Sequence, residues 1–267
     1  MSEFRFENFK SVYDFESALN SRQVNPVFDI SEGSADTSRS SWFQTRNYAE
    51  ADEFMTKGWN AKIDEVRGAL EKFSSTVAVK HRKQVFDYVG FMPSVARAIQ
   101  GYPQSMINHT KRESLEKQRT KHIIFDNTEC AEVSGEALLK SGLTVLKLAM
   151  ILDKSNVRTQ IDVVPYSAHC SDSYFGCTVT IKNYQQPFNY LKMAYPIANP
   201  SFFRRHGFRW LETQKGEKSQ MQKWSIGYGG HLYGQAKTEE YLKYAGMRKD
   251  NVLLITFADC KRAQGRF

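Results

Sequence analysis

Cysteine is scarce in this sequence and scattered where it occurs. Cys130, Cys170, Cys177 and Cys260 are the four cysteines in 267 residues, and no two of them form a CxxC pair. A chain of this length with few, separated cysteines is typical of a cytoplasmic protein with free thiols. His169 lies beside Cys170, but its spacing from the cysteines matches no standard zinc-ligand pattern.

Long apolar runs are missing as well. No stretch of 18 apolar residues occurs, and the opening MSEFRFENFKSVYDF holds no unbroken apolar segment. We therefore expect no secretory signal peptide, no membrane span and no membrane partner.

The short motifs of the common enzyme classes are also absent. GxSxG, HExxH and the kinase set do not occur, and GYGGHLYG at 227–234 lacks the GxxxxGK[ST] pattern of a phosphate-binding loop. These absences favour a non-enzymatic protein, although residues remote in sequence can still assemble a catalytic set in a fold.

Positive charge, in contrast, is abundant and unevenly placed. The formal net charge is +8. Residues 1–120 hold 17 Lys and Arg against 16 Asp and Glu, whereas residues 204–267 hold 13 against 6. A basic excess concentrated in the last quarter of the chain predicts a local binding surface for a polyanionic partner.

The secondary-structure pattern changes near residue 116. Residues 1–115 are predicted to form a mainly helical and irregular N-terminal region. From residue 116 to 267, apolar strands alternate with helices, which predicts an α/β domain whose sheet is covered on both faces. At about 208–228, two short strands around a tight turn predict a β-hairpin inserted into this domain.

The most distinctive stretch is NPSFFRRHGFRWLE at 199–212, in which basic residues interleave with aromatic ones. Guanidinium groups bind phosphates and flat rings stack on unpaired bases, so this stretch predicts a surface for single-stranded nucleic acid. The alternative is a helix that ends at Gly207, with Phe202 and Phe203 in the core. The predicted nucleic-acid-binding residues are Arg204, Arg205, His206, Arg209, Trp210, Lys223, Trp224, Tyr228, Lys261, Arg262 and Arg266.

A second candidate site lies in IIFDNTEC, residues 123–130. A predicted strand ends there in Asp126, and Thr128 follows two residues later. Carboxylate and hydroxyl oxygens at the carboxyl end of a strand can hold a hard divalent cation such as Mg²⁺. The alternative is that these residues only cap the following helix. No other cofactor is predicted.

The order of a strand, Asp-x-Thr-x-Cys, a long helix and another strand resembles the start of a von Willebrand A-type domain. The resemblance implies a Rossmann-type sheet with Asp126 and Thr128 on a metal-binding rim and Asp259, at the end of LLITFAD, as a further ligand. In such a sheet, the strand that ends at Asp126 lies beside the strand that ends at Asp259. The sequence departs from that pattern in two places, because Cys130 occupies a serine position and no glycine follows Asp259.

The order of FMTKGW, GYPQSMIN, FFRRHGFRW and GYGG is similar to a group of uncharacterised tailed-bacteriophage proteins. This second resemblance implies a phage origin and action in the host-cell cytoplasm. We therefore expect a non-enzymatic phage accessory protein that binds single-stranded DNA in support of transcription or replication, with recruitment of a polymerase as one route. The alternatives are a von Willebrand A-like module that docks a host or phage protein, and a Mg²⁺-dependent nuclease that uses Asp126 and Asp259.

Overall fold

The protein divides into two compact units. The first combines Met1–Leu70 with Thr120–Phe267, and the second is Glu71–Arg119. This division differs from the predicted boundary at 115, because the N-terminal residues supply a strand and helices to the first unit. The structure is a computed structural model that describes residues 3–24, 31–32, 41–64, 68, 84–109, 119–129, 132–170, 173–214, 235–245, 247 and 251–264.

The first unit combines a mixed sheet with helices, which confirms the predicted α/β class. The strands of the described chain are β1 (Glu3–Phe9), β2 (Gln84–Asp87), β3 (Met92–Pro93), β4 (Met106–His109), β5 (Thr120–Asp126), β6 (Arg158–Cys170), β7 (Ser173–Lys182) and β8 (Val252–Thr256). Five of these form the sheet in the order β1-β7-β6-β5-β8. All neighbours in it are parallel except β6 and β7, which are antiparallel.

Helices cover this sheet. In both units together, the helices that position the residues discussed below are α1 (Val12–Ser21), α2 (Tyr48–Lys57), α3 (Val95–Ile99), α4 (Gly135–Lys154), α5 (Tyr190–Ala198), a π-helix (Phe202–Gly207), α6 (Phe208–Glu212), α7 (Gln235–Tyr244) and α8 (Phe257–Gln264). All except α3 belong to the first unit. Two predicted N-caps are confirmed. Asn47 Oδ1 accepts the backbone N–H of Glu50 at 2.8 Å, and Ser134 Oγ accepts that of Ala137 at 3.2 Å.

The core lies on both faces of the sheet because successive strand residues point to opposite sides. Ile123 and Phe125 of β5 belong to the larger apolar cluster, together with the buried face of α4. Ile124 belongs to a smaller cluster with Tyr241 and Leu242 of α7. The continuous apolar run of β5 therefore reflects burial on both sides.

The prediction of a mainly helical N-terminal region is wrong at its start. β1 forms one end of the sheet and pairs with β7 over all seven of its residues. The alternation of apolar and polar residues in EFRFE is typical of a half-buried strand, and Phe6 is buried. Phe9, three positions later, is buried on the opposite face of the sheet.

The predicted hairpin at 208–228 is wrong where the structure describes it. Residues 208–212 are helical, and the adjacent side chains of Trp210 and Leu211 are both buried, which a strand with one wet face would not allow. The hairpin residues beyond 214 lie outside the described part of the chain.

The π-helix packs closely against an irregular point in β6. The register between β6 and β7 shifts between Val163 and Tyr166, where Pro165 lacks the N–H group that regular pairing requires. A Cβ atom on Gly207 would lie 2.3 Å from the carbonyl oxygen of Pro165. Only glycine therefore permits this approach of the π-helix to the strand.

The second unit contains an antiparallel sheet of three short strands, in the order β2-β4-β3. Phe86 of β2 and Met92 of β3 both lie opposite Ile107 of β4, so these three residues form a row on one face.

Among the described helices, none combines the length and the apolar character that crossing a bilayer requires.

Candidate nucleic-acid interface

The predicted basic and aromatic stretch lies inside the first unit. Arg204, Arg205 and His206 are completely buried, and Trp210 is 1% exposed. The prediction that these four residues bind nucleic acid is wrong, because their side chains are enclosed by the protein and cannot reach a ligand. Of the alternative, the core position of Phe202 and Phe203 is confirmed. The helix end at Gly207 is wrong, because the π-helix continues directly into α6 and Gly207 keeps a helical φ of −62°.

Arg204 is bound by backbone carbonyl groups. Its terminal amino groups donate to the carbonyl oxygens of Trp42 at 2.6 Å and Val133 at 2.5 Å. The guanidinium carbon also lies 3.9 Å from the centre of the Trp42 ring. The charge is thus compensated by protein dipoles and an aromatic face rather than by phosphate.

Arg205 also forms hydrogen bonds with backbone carbonyl groups, and these belong to two N-terminal segments. It donates to the hydroxyl oxygen of Thr45 at 2.7 Å, the carbonyl oxygen of Thr45 at 3.1 Å and the carbonyl oxygen of Ser31 at 3.0 Å. Its guanidinium carbon lies 4.1 Å from the centre of the Phe43 ring.

Arg209 is also engaged within the protein. Its side chain is 14% exposed and forms an ion pair with Glu32. Its guanidinium carbon lies 4.5 Å from the centre of the Tyr48 ring. The prediction that Arg209 contacts phosphate is therefore not supported by its position.

Trp210 is anchored at the end of the sheet. Its indole N–H donates to Glu7 Oε2 at 2.8 Å, and its ring centre lies 4.9 Å from that of Phe175. Glu7 also accepts hydrogen bonds from Arg22, and this arginine is the main cause of the lowered pKa of the Glu7 carboxyl. Trp210 therefore acts as a core residue with one satisfied polar group.

His206 lies in the π-helix of this buried stretch. Its Nδ1 forms a hydrogen bond with the Tyr195 hydroxyl at 2.9 Å, and its Nε2 lies 3.8 Å from Asp52 Oδ1. Burial lowers the pKa of His206 below its ordinary value, and Asp52 opposes this shift.

The remaining predicted residues fall into two groups. Lys261 and Arg262 are exposed on α8, and Arg262 forms an ion pair with Asp259 at 2.8 Å. The residues outside the described part of the chain are Lys223, Trp224, Tyr228 and Arg266.

The predicted neighbour relation at the carboxyl edge of the sheet is correct. Strands β5 and β8 are parallel, with Asp126 in register with Thr256. Asp126 Oδ1 accepts the backbone N–H of Thr128 at 3.0 Å, and Thr128 Oγ1 accepts the hydroxyl of Ser167 at 3.3 Å. All three polar residues are buried in this edge.

Asp259, however, does not fit the predicted Mg²⁺ site. One carboxylate oxygen accepts the backbone N–H of Thr256 at 3.0 Å and the Thr256 hydroxyl at 2.8 Å, and the Asp259 N–H returns a bond to that hydroxyl at 3.4 Å. This is a capping box at the start of α8. The other oxygen accepts from Arg262 at 2.8 Å. Within the described ranges, no three His, Cys, Asp or Glu side chains are grouped so that they could hold a metal ion.

The second unit exposes large aromatic side chains. Phe86 is 41% exposed, Tyr88 65%, Phe91 60% and Tyr102 51%. These four rings and Arg97 are called the aromatic surface below. Phe86 lies on a strand of the small sheet, whereas Tyr88, Phe91 and Tyr102 lie in segments between the strands. Exposed rings are able to stack on flat ligands.

Arg97 lies between two rings of the aromatic surface. Its guanidinium carbon is 4.3 Å from the centre of the Phe86 ring and 4.5 Å from that of Tyr102. Its Nε donates to the carbonyl oxygen of Gln104 at 3.2 Å. The guanidinium group is thus held in place by stacking and by one hydrogen bond.

The charge of the second unit matches this surface. Residues 71–119 hold nine Lys and Arg against four Asp and Glu, a net of +5, whereas residues 1–70 hold eight against twelve, a net of −4. Over residues 1–120 the two net charges nearly cancel, which hides this local excess. A shorter counting window, combined with the aromatic residues at 86, 88, 91 and 102, would have found it.

The fold defines a mixed α/β protein with a mostly parallel five-stranded sheet and a small antiparallel unit. The chain belongs to the family described as a domain of unknown function (DUF7192), whose family model matches residues 3–265. Comparison with curated proteins and with solved structures gives no match.

Proposed function

We propose that this protein binds single-stranded nucleic acid through the aromatic surface of its second unit, without catalysing a reaction on it. The observation that carries the proposal is the combination of four exposed rings with a stacked, immobilised arginine in a unit of net charge +5. Stacking on bases supplies affinity without strong sequence preference, and the basic excess attracts the phosphate backbone.

The favoured ligand is a single strand because exposed rings stack only on bases that are not paired. A duplex keeps its bases stacked on each other and would present only phosphates to this unit. The von Willebrand A-like character of the first unit belongs to the same proposal, supported by the parallel neighbours β5 and β8. The phage origin and the recruitment of a polymerase remain predictions, which are based on the similarity to tailed-bacteriophage proteins.

A second candidate function is the docking of a protein partner on the same unit. The observation that favours it is a set of exposed aliphatic side chains in this unit. Val95 and Ile99 of α3 are 66% and 81% exposed, and Val89 is 76% exposed. Aliphatic side chains contribute little to base stacking but are able to fill an apolar pocket of a protein.

The test is a binding titration of the full chain with single-stranded DNA, single-stranded RNA and duplex DNA at two salt concentrations. We expect Tyr88→Ala and Tyr102→Ala each to weaken single-strand binding by about 1–3 kcal/mol. Arg97→Gln is expected to flatten the dependence of log affinity on log salt by about 0.7, the value for one phosphate contact with a single strand.

Tyr13→Ala is the matched control, because Tyr13 is 75% exposed on α1 of the first unit. It should bind like the wild type. Loss of binding in the Tyr13 variant but not in the Tyr88 variant would place the site outside the aromatic surface. Absence of binding to all three nucleic acids would leave protein docking as the function of this unit, with Val95→Ser and Ile99→Ser as the variants to examine.

A further inference from the structure

The two edge strands of the five-stranded sheet, β1 and β8, differ in how well they are protected against pairing with another strand. β1 carries Glu3, Arg5 and Glu7 within seven residues, and charges on an edge strand oppose pairing with another strand. β8 has the sequence VLLIT, with no charge, proline or glycine. Among the described strands, only β5 pairs with β8.

β8 also has the regular geometry that a pairing edge requires. Its five residues are in unbroken parallel register with His122–Asp126 of β5. A strand with no bulge or register shift presents its outer N–H and C=O groups in a regular row. None of its five residues is buried and Leu253 is 38% exposed, as expected for a strand at the end of a sheet.

We propose that β8 is a self-association edge, at which two copies of the chain join their sheets by antiparallel pairing of β8 with β8. The sequence of the strand is self-complementary in this arrangement. A two-fold axis at Leu254 places Leu254 opposite its own copy, Leu253 opposite Ile255 and Val252 opposite Thr256. Every cross-strand pair is then uncharged and mostly aliphatic or β-branched, which favours pairing.

A second copy of the chain is the occupant that these observations favour over an unrelated strand. The pairing is isologous, since the same five residues serve both partners and the contact closes after two copies. It would form a continuous ten-stranded sheet and leave the charged β1 strands at its two outer ends. This inference does not depend on the proposed binding of nucleic acid.

The first experiment measures the mass of the purified full chain by sedimentation across a concentration series. We expect a concentration-dependent equilibrium between monomer and dimer for the wild type. Leu253→Lys is expected to shift this equilibrium at least tenfold toward monomer, because it places a charge on the pairing edge. Leu191→Lys is the control and should sediment like the wild type, since Leu191 is 47% exposed on α5. A wild type that stays monomeric up to about 100 μM would overturn the proposal.

A cross-linking experiment tests the register and does not depend on the stability of the lysine variant. Two differently tagged preparations, Leu253→Cys and Ile255→Cys, are mixed and oxidised. In the proposed register these positions face each other across the two-fold axis, so the mixture should give a disulfide-linked heterodimer. Each variant alone should give little dimer. Equal cross-linking in the mixture and in the separate variants would contradict the stated pairing.

Discussion

Glu212 accepts a hydrogen bond from the backbone N–H of Ser31 at 2.8 Å, although 181 positions separate the two residues in sequence and both are buried. The Ser31 hydroxyl donates to the second oxygen of the same carboxylate, and the Ser31 carbonyl accepts from Arg205. One N-terminal residue is thus held by both an acid and a base of the 202–212 stretch. The charged residues of this stretch therefore stabilise the first unit from inside.

The first prediction concerns the buried arginine. Arg205→Ala should lower the free energy of unfolding by about 3–5 kcal/mol, because it leaves buried carbonyl groups of Ser31 and Thr45 without their donor. Urea denaturation measures this change. Lys261→Ala is the control and should stay within about 0.5 kcal/mol of the wild type, since Lys261 is exposed. Equal stability of the two variants would show that the Arg205 contacts contribute nothing.

The second prediction separates packing from stacking at Trp210. Trp210→Ala should lower the free energy of unfolding by about 3–5 kcal/mol, because the ring fills the core beside Phe175. Under conditions where the variant is folded, its affinity for single-stranded nucleic acid should equal that of the wild type. A Trp210→Ala variant with normal stability and weakened binding would contradict this prediction and show that Trp210 contacts nucleic acid.

The third prediction follows from the lowered pKa of His206. The unfolded chain binds a proton near pH 6.5, whereas the folded protein binds it only at lower pH, so the stability from the neutral imidazole is present above pH 6.5 and lost as the pH falls below it. The slope from this group is at most about 1.4 kcal/mol per pH unit. His206→Asn keeps a polar atom for Tyr195 but does not titrate. Thermal melts between pH 7.5 and 5.0 should therefore show a weaker pH dependence for this variant than for the wild type.

The fourth prediction tests the role of Asp259. Asp259→Ala should lower the free energy of unfolding by about 1 kcal/mol through loss of the capping box with Thr256. The loss should be the same with and without added Mg²⁺. If Mg²⁺ stabilised the wild type but not the variant, Asp259 would be a metal ligand after all.

The local sequence was informative wherever neighbouring residues decide the structure. The start of α2 could be predicted because the Asn47 side chain bonds to a backbone group only three residues away. The strand at β5 could be predicted because burial on both faces requires an unbroken apolar run. The helix at 208–212 was missed because a short alternation of aromatic and polar residues fits a strand as well as a helix when packing is unknown.

By itself, the sequence determined the alternation of strands and helices after residue 116, the caps of α2 and α4, and the excess of positive charge. These depend on periodicity, short-range hydrogen bonds and composition. Only the tertiary structure decided which charges face solvent. Arg204 and Arg205 are buried because carbonyl groups of Trp42, Thr45 and Val133, remote in sequence, converge on them, whereas Arg97 stays at the surface between two exposed rings. A formal charge has the same value in either place. Whether it binds a ligand or stabilises the core depends on the groups that the fold brings within hydrogen-bond distance.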